Sequence, residues 1–239
     1  LIDGAEIAAE VMRMALLAPK DGKPSIAIGT GESESDNMVH GYDYDSDGTY
    51  KQNHYLKIEG TDTWDHPDTA KPLKDVQQGT KYLRSIGVLP RYAMMNSTTF
   101  DYLVENEQIK NALITSSGKT VDFTDEATVK EIFTRKTGLT PIIYDKMYID
   151  YKGETQKFYP DNKVTIIGAG TLGSTYYGVT PEERTLMSNK NVDVAMLDNR
   201  IAIATKTEQG PPIKTTTSVS QIVLPSYEGI DSTFVLDVK

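Results

Sequence analysis

The feature that most constrains this chain is a change of hydrophobic period near Pro141. Upstream of it, apolar residues recur at three- and four-residue spacing over several capped stretches. Downstream, they alternate or form short β-branched runs between turn residues. Helices that lead and strands that follow predict an α+β chain rather than alternating βαβ units on a parallel sheet.

The individual elements follow from local chemistry. Asp3 and Glu6 stand three apart, as in a capping box, ahead of Ile7, Val11, Met14 and Ala18; Pro19 and Gly22 end that helix. Residues 23–65 have no helical period and read as strands and long loops, with Tyr55-Leu56-Lys57-Ile58 as an alternating piece. Pro72 suits a first helical turn, Leu73, Val76, Thr80 and Leu83 share one face, and Gly87 supplies a left-handed stop. A short strand over 92–95 passes into a helix capped by Asn96 or Ser97 and carrying Phe100, Leu103, Val104 and Ile109. Thr124 caps another helix, with Asp125 and Glu126 in its first turn, Arg135 and Lys136 in its last and Gly138 beyond, an order that matches the macrodipole. Strands are expected over 142–151, 157–159 and 164–167, with a turn at Lys152-Gly153. A hairpin is expected from 192–197 and 201–205 about Asp198-Asn199, and 234–238 closes the chain.

Composition removes several function classes. With no cysteine, the chain has neither disulfides nor a thiolate nucleophile nor a Cys-ligated metal. A net charge of -9 opposes a phosphate-gripping face, so direct, sequence-specific nucleic-acid binding is not expected. No run approaches the roughly eighteen apolar residues of a membrane-spanning helix, and no membrane partner is expected.

Two motifs invite sharper readings. Gly168, Gly170 and Gly173 form a GxGxxG directly after the apolar run 164–167, with Asp193 twenty residues further on, the pattern of a nucleotide-using oxidoreductase. That chemistry needs a helix N-terminus behind the pyrophosphate, and residues 174–181 are poor helix formers, so a strand-end glycine loop without a cofactor is favoured. Asp43, Asp45, Asp47 and Gly48 reproduce the first half of a calcium loop. The second half places Lys51 and His54 where a water-mediated ligand and a bidentate Glu belong. These three aspartates are weak metal candidates, and the alternative they raise is a calcium-dependent binding module; a solvated acidic turn is favoured. His40, His54 and His66 lack ligand spacing, Trp64 reads as a packing anchor, and no GxSxG elbow is present. No catalytic residue is expected.

A resemblance runs along nearly the whole chain. Trp64-Asp65, Asp75-Val76, Tyr92-Ala93-Met94-Met95-Asn96 and Asn106-Glu107-Gln108-Ile109-Lys110 resemble the phage major capsid protein E family, in which a tryptophan and an acid precede a helix and a strand ending in Asn or Asp begins the next one. The stretch Phe158-Tyr159-Pro160-Asp161-Asn162-Lys163-Val164, with Tyr177-Gly178 and Glu182-Glu183, is similar to the family's stretch after its long hairpin. Ser220-Gln221-Ile222-Val223-Leu224-Pro225 and Phe234-Val235-Leu236-Asp237-Val238 are similar to its ending.

The resemblance implies an HK97-like capsid fold. Residues 1–21 and 189–213 would form the peripheral domain, as the end of a spine helix and a β-hairpin, and 22–188 with 214–239 the axial domain and its closing strand. It further implies a structural major head protein of a lambda-type phage or prophage, without enzyme activity. Such a protein self-assembles as pentamers and hexamers into an icosahedral shell around packaged DNA, in the bacterial host cytoplasm and then the virion. Decoration, portal and scaffold proteins are the further partners implied. By the family pattern an N-terminal arm and an extended loop precede Leu1, so both are expected to be lacking here.

Overall fold

A computed structural model describes residues 2–19, 22–28, 38–41, 54–117, 125–150, 152–186, 192–208 and 210–239. Helix α1 (Ile2–Leu17) stops just short of Ala18, the residue before Pro19, a position at which proline disfavours the α region. Strands β1 (Ser25–Ile28) and β2 (Met38–Gly41) pair antiparallel, and β3 (Tyr55–Lys57) occupies the alternating piece. Helix α2 (Pro72–Ser85) begins at its proline, buries Leu73, Val76, Thr80 and Leu83, and ends before Gly87, which takes φ 86°. Strand β4 (Pro90–Met95) runs into α3 (Ser97–Glu105) through Asn96, whose Oδ1 accepts from the Thr99 N–H at 2.9 Å.

The helix expected to run from Phe100 through Ile109 is instead two. Asn106 is extended (φ -68°, ψ 129°) between α3 and α4 (Glu107–Ser117). Its Nδ2 donates to the carbonyls of Pro67 (3.2 Å) and Ala70 (3.1 Å), and its Oδ1 accepts from the Gln108 N–H at 3.0 Å. These bonds compete successfully with continuation of the helix. In α5 (Glu126–Thr137), Asp125 holds the cap position rather than a place in the first turn, and Gly138 takes φ 76°. Thr124, expected as the cap, lies outside the described residues.

The strand expected over 142–151 is also divided, into β5 (Thr140–Ile143) and β6 (Met147–Ile149). Strand β6 folds onto β7 (Thr155–Lys157) because Asp150 Oδ1 accepts from the N–H groups of Lys152 and Glu154, both at 2.9 Å. There follow β8 (Lys163–Gly168), β9 (Thr175–Gly178), α6 (Pro181–Leu186), β10 (Val192–Leu197) and β11 (Ile201–Glu208). The hairpin turn has three residues, not two: Leu197 pairs with Ile201, and Arg200 takes φ 55°. Strand β12 (Lys214–Ser220), which the sequence reading lacked, extends the hairpin to a third strand. Strands β13 (Ile222–Pro225) and β14 (Thr233–Asp237) complete the chain.

The larger of two compact units comprises residues 14–172 and 228–239. Its five-stranded sheet has the order β3-β14-β8-β4-β5, antiparallel at the centre and parallel at each outer pair. Ala93, Met95, Val164, Ile166, Phe234 and Leu236 bury one face against Val76, Leu83, Phe100, Leu103, Ile132 and Phe133 of the helices. Each large side chain so buried is worth about 1.5–3 kcal/mol. Gly79 lets α2 lie directly on the sheet, since a Cβ there would stand 2.7 Å from Ile166 Cδ1. The last turn of α1 covers the other face, where Met14 and Ala18 pack with Met94, Tyr159 and Ile167. Burial on both faces is why β8 reads as an unbroken Val-Thr-Ile-Ile instead of alternating.

The smaller unit comprises residues 1–13 and 173–227. It contains the antiparallel ribbon β9–β13, helix α6 and the sheet β10-β11-β12, with Ile201 and Ala202 buried. Strand β12 joins residues 214–220 to the hairpin through β11, while β9 and β13 pair with each other.

Candidate functional site

Two of the sequence segments that carry the family resemblance meet at the junction of β4 and α3. Asn96 caps α3 with its Oδ1, and its Nδ2 donates to Asp161. The Thr99 hydroxyl donates to Asn96 Oδ1 at 2.7 Å and accepts from the Asn162 N–H at 3.0 Å, while the Tyr102 hydroxyl donates to Asn162 Oδ1 at 3.1 Å. Asn162 tolerates the left-handed φ of 62° that this turn requires, and its carbonyl accepts from the Val238 N–H at 2.9 Å. Burial pushes the Asp161 carboxyl up, but hydrogen bonds from Lys157 (2.7 Å) and Asn96, with the Lys157 charge, outweigh it and hold the group below the usual carboxylate range.

A second polar contact crosses the opposite face of the sheet. The Thr165 hydroxyl, fully buried, donates to the Leu17 carbonyl at 2.6 Å; the Tyr159 hydroxyl donates to the Met94 carbonyl at 3.0 Å and lies 2.8 Å from Thr165 Oγ1. Helix α1 thus has one of its orphan C-terminal carbonyls capped by a strand residue. These side chains hold backbone to backbone, which is positioning rather than bond-making chemistry.

Trp64, 1% exposed, donates its indole N–H to Asp75 Oδ2 at 3.0 Å, joining the tryptophan motif to the first turn of α2. Burial, and then the nearby Asp62, push the Asp75 carboxyl up, partly offset by the Trp64 hydrogen bond. An acid that ionises less readily folded than unfolded lowers stability as pH rises through its unfolded and then its folded pKa. Asp75→Asn, which can still accept from Trp64, is therefore expected to melt roughly 1–3 °C above the parent at pH 7. The two should melt together near pH 3, in thermal scans at both pH values.

The residues singled out by sequence fall elsewhere. After Gly173 the chain enters β9, so no helix N-terminus opens there. The glycines answer to close backbone approach: a Cβ on Gly173 would lie 2.2 Å from the Ser226 carbonyl oxygen, one on Gly168 would lie 2.5 Å from Val88 Cγ1, and Gly170 takes φ 127°. Asp43, Asp45, Asp47, Gly48 and Lys51 lie outside the described residues. His54 Nδ1 is 3.1 Å from the Thr233 carbonyl and its ring meets Tyr82 edge-on, whereas His66 lies 2.9 Å from the Thr63 hydroxyl. Among the described residues no three His, Asp or Glu side chains gather as a metal site, and no helix is long and apolar enough to cross a membrane.

The sequence reading missed a different kind of surface. Strands carry exposed apolar side chains: Met147 and Ile149 on β6, Tyr176, Ile222 and Leu224 on one face of the β9–β13 ribbon, and Val194, Met196 and Leu197 on β10. Alternation alone gave the strands but not which face stays uncovered.

Comparison with known proteins accords with this mixed α+β architecture. The chain is similar in structure to a protein assigned as the capsid protein of a prophage in E. coli CFT073, with a TM-score of 0.63 and 14% identity. That match covers 100% of this chain and 64% of the other. A phage-related protein from Bordetella bronchiseptica RB50 matches at a TM-score of 0.47 and 13% identity, over 81% of this chain and 56% of the other. No curated protein matches. The phage major capsid protein E model matches residues 3–208, and the chain belongs to that family of structural head proteins.

Proposed function

We propose that this chain is a building block that associates with copies of itself into the icosahedral shell of a phage or prophage head, and that it makes and breaks no covalent bond. The observation that carries the reading is the set of exposed apolar strands in a chain of this family. Side chains such as Ile149, 67% exposed, stay in water until another surface covers them. In this reading the larger unit serves as the axial domain of an HK97-like subunit and the smaller unit as the peripheral domain, with pentamers and hexamers as intermediates. The sequence-derived boundaries at 21/22, 188/189 and 213/214 differ from the changes of compact unit at 13/14, 172/173 and 227/228, and the β11–β12 pairing, which ties 214–220 to 202–208, supports moving the last boundary beyond 213/214. Decoration, portal and scaffold proteins would be further partners, and assembly would take place in the host cytoplasm. The net charge of -9 would keep a shell lining from adhering to packaged DNA.

No dinucleotide or calcium chemistry enters this proposal. The strand after Gly173 supports leaving out the first, and Lys51 and His54 at ligand positions support leaving out the second. Sedimentation of the purified chain with electron micrographs of the same samples tests the reading. Five- or six-fold rings, curved sheets or shells are the expected result. A chain that stays monomeric at every concentration and binds NAD, ATP or calcium saturably at micromolar levels would overturn it.

A further inference from the structure

The strand edges of this chain are guarded unequally. Strand β5 closes one side of the main sheet with Pro141 in its ladder, β3 closes the other with only three residues, and β12 is built of Thr, Ser and Lys with a single Val219. Proline, shortness and polar or Lys-bearing composition are the devices that keep edges from pairing. Strand β10 has none of them. It is six residues long, carries one charge, at Asp193, and among the described residues pairs only with β11. Residues 193–197 are all exposed, including Val194 (37%), Met196 (44%) and Leu197 (41%). Its outer row of backbone N–H and C=O groups offers a ladder that another extended segment can continue.

We propose that β10 pairs antiparallel with β10 of a second copy, about a two-fold axis at Ala195, making one six-stranded sheet from two three-stranded ones. This rests on the self-assembly reading above and names one of its contacts. The register follows from the side chains. With Ala195 opposite its own copy, Val194 meets Met196 twice on one face and Asp193 meets Leu197 twice on the other. The two Asp193 carboxylates then stand about 14 Å apart along the strands, beyond the roughly 8 Å screening length at physiological salt. A register that brought the two aspartates opposite each other would pay for like charges in contact. The other strand a second copy could offer, β12, would set Thr and Ser beside Val194 and Met196, a poorer cross-strand match. An isologous pair is also the contact that the two-fold axes of an icosahedral shell require.

The cysteine-free sequence allows a direct test on the full chain. Ala195→Cys is expected to form a covalent dimer on mild oxidation, whereas Ile149→Cys, also exposed but on β6, is not. Val194→Lys with Met196→Lys, at exposed positions, is expected to leave the Tm unchanged and weaken dimerisation by at least tenfold in sedimentation. Absence of the Ala195→Cys crosslink in a chain that does sediment as a dimer would overturn the pairing, as would a crosslink found instead through Thr217→Cys on β12. Micrographs separate this from the broader reading. Shells that form equally well from the parent and the double-lysine variant sink the β10 contact and leave the capsid assignment standing.

Discussion

Lys163→Met is expected to cost about 3–5 kcal/mol, because it strands a largely buried carboxylate. Lys163 on β8 and Asp237 on β14 are directly opposite in the ladder, their Nζ and Oδ2 atoms are 2.5 Å apart, and their side chains are 11% and 14% exposed. The Tyr55 hydroxyl donates to the same oxygen at 2.9 Å, and the ammonium sits 5.3 Å from the Tyr55 ring. Removing the cation leaves Asp237, in a part-buried place, with the neutral Tyr55 hydroxyl as donor. Removing both charges does not, so Lys163→Met with Asp237→Leu should recover most of the loss. At roughly 2–4 °C per kcal/mol, the single variant should melt some 6–20 °C lower, and the double variant within a few degrees of the parent. A single-variant loss under about 1 kcal/mol would show that the pair is solvated as a surface ion pair is.

Much of this architecture was legible where the cause is local. Pro72 and Gly87 bound α2, Asn96 converts β4 into α3, and Gly138 ends α5, since each acts through its own backbone or the next turn. The errors arise where a distant partner decides. Asn106 interrupts the expected helix because it finds the carbonyls of Pro67 and Ala70, which no helical period reports. The run 142–151 divides because β5 takes a parallel place beside β4 while Asp150 folds β6 back onto β7. Thr215, Thr216 and Thr217 have strand propensity but no apolar alternation, so β12 is visible only through its pairing with β11.

The polar junction was half legible. Its members were present in the resembling segments Tyr92–Asn96 and Phe158–Asn162, but nothing in the sequence joined them. Their connection through Asp161, Asn162 and Thr99 gives those segments a physical role: they fix the start of α3 against the entry to β8. The GxGxxG run shows the reverse. Its spacing is complete, yet the constraints on Gly168 and Gly173 come from Val88, Ser232 and Ser226, so crowding rather than a phosphate accounts for the missing side chains.

Trp64→Ala should be comparably damaging, at about 3–5 kcal/mol, by a different route. Trp64 is the largest of the fully buried side chains, and its truncation opens a cavity in the main hydrophobic cluster. It also leaves Asp75 Oδ2 without the indole donor in surroundings that already disfavour its charge. Trp64→Phe weights the two contributions differently, since it keeps most of the volume while losing the N–H. Its cost should be the smaller, about 1–3 kcal/mol, and should shrink as pH falls and Asp75 takes up a proton. Adding Asp75→Asn should not rescue Trp64→Ala, because the cavity remains, but it should relieve part of the loss in Trp64→Phe at pH 7. Denaturant titrations of the single and paired variants at pH 7 and pH 4 measure this coupling. Strict additivity of Trp64→Phe and Asp75→Asn would mean that the indole contributes packing alone and that its 3.0 Å contact to the carboxylate does not hold α2 in place.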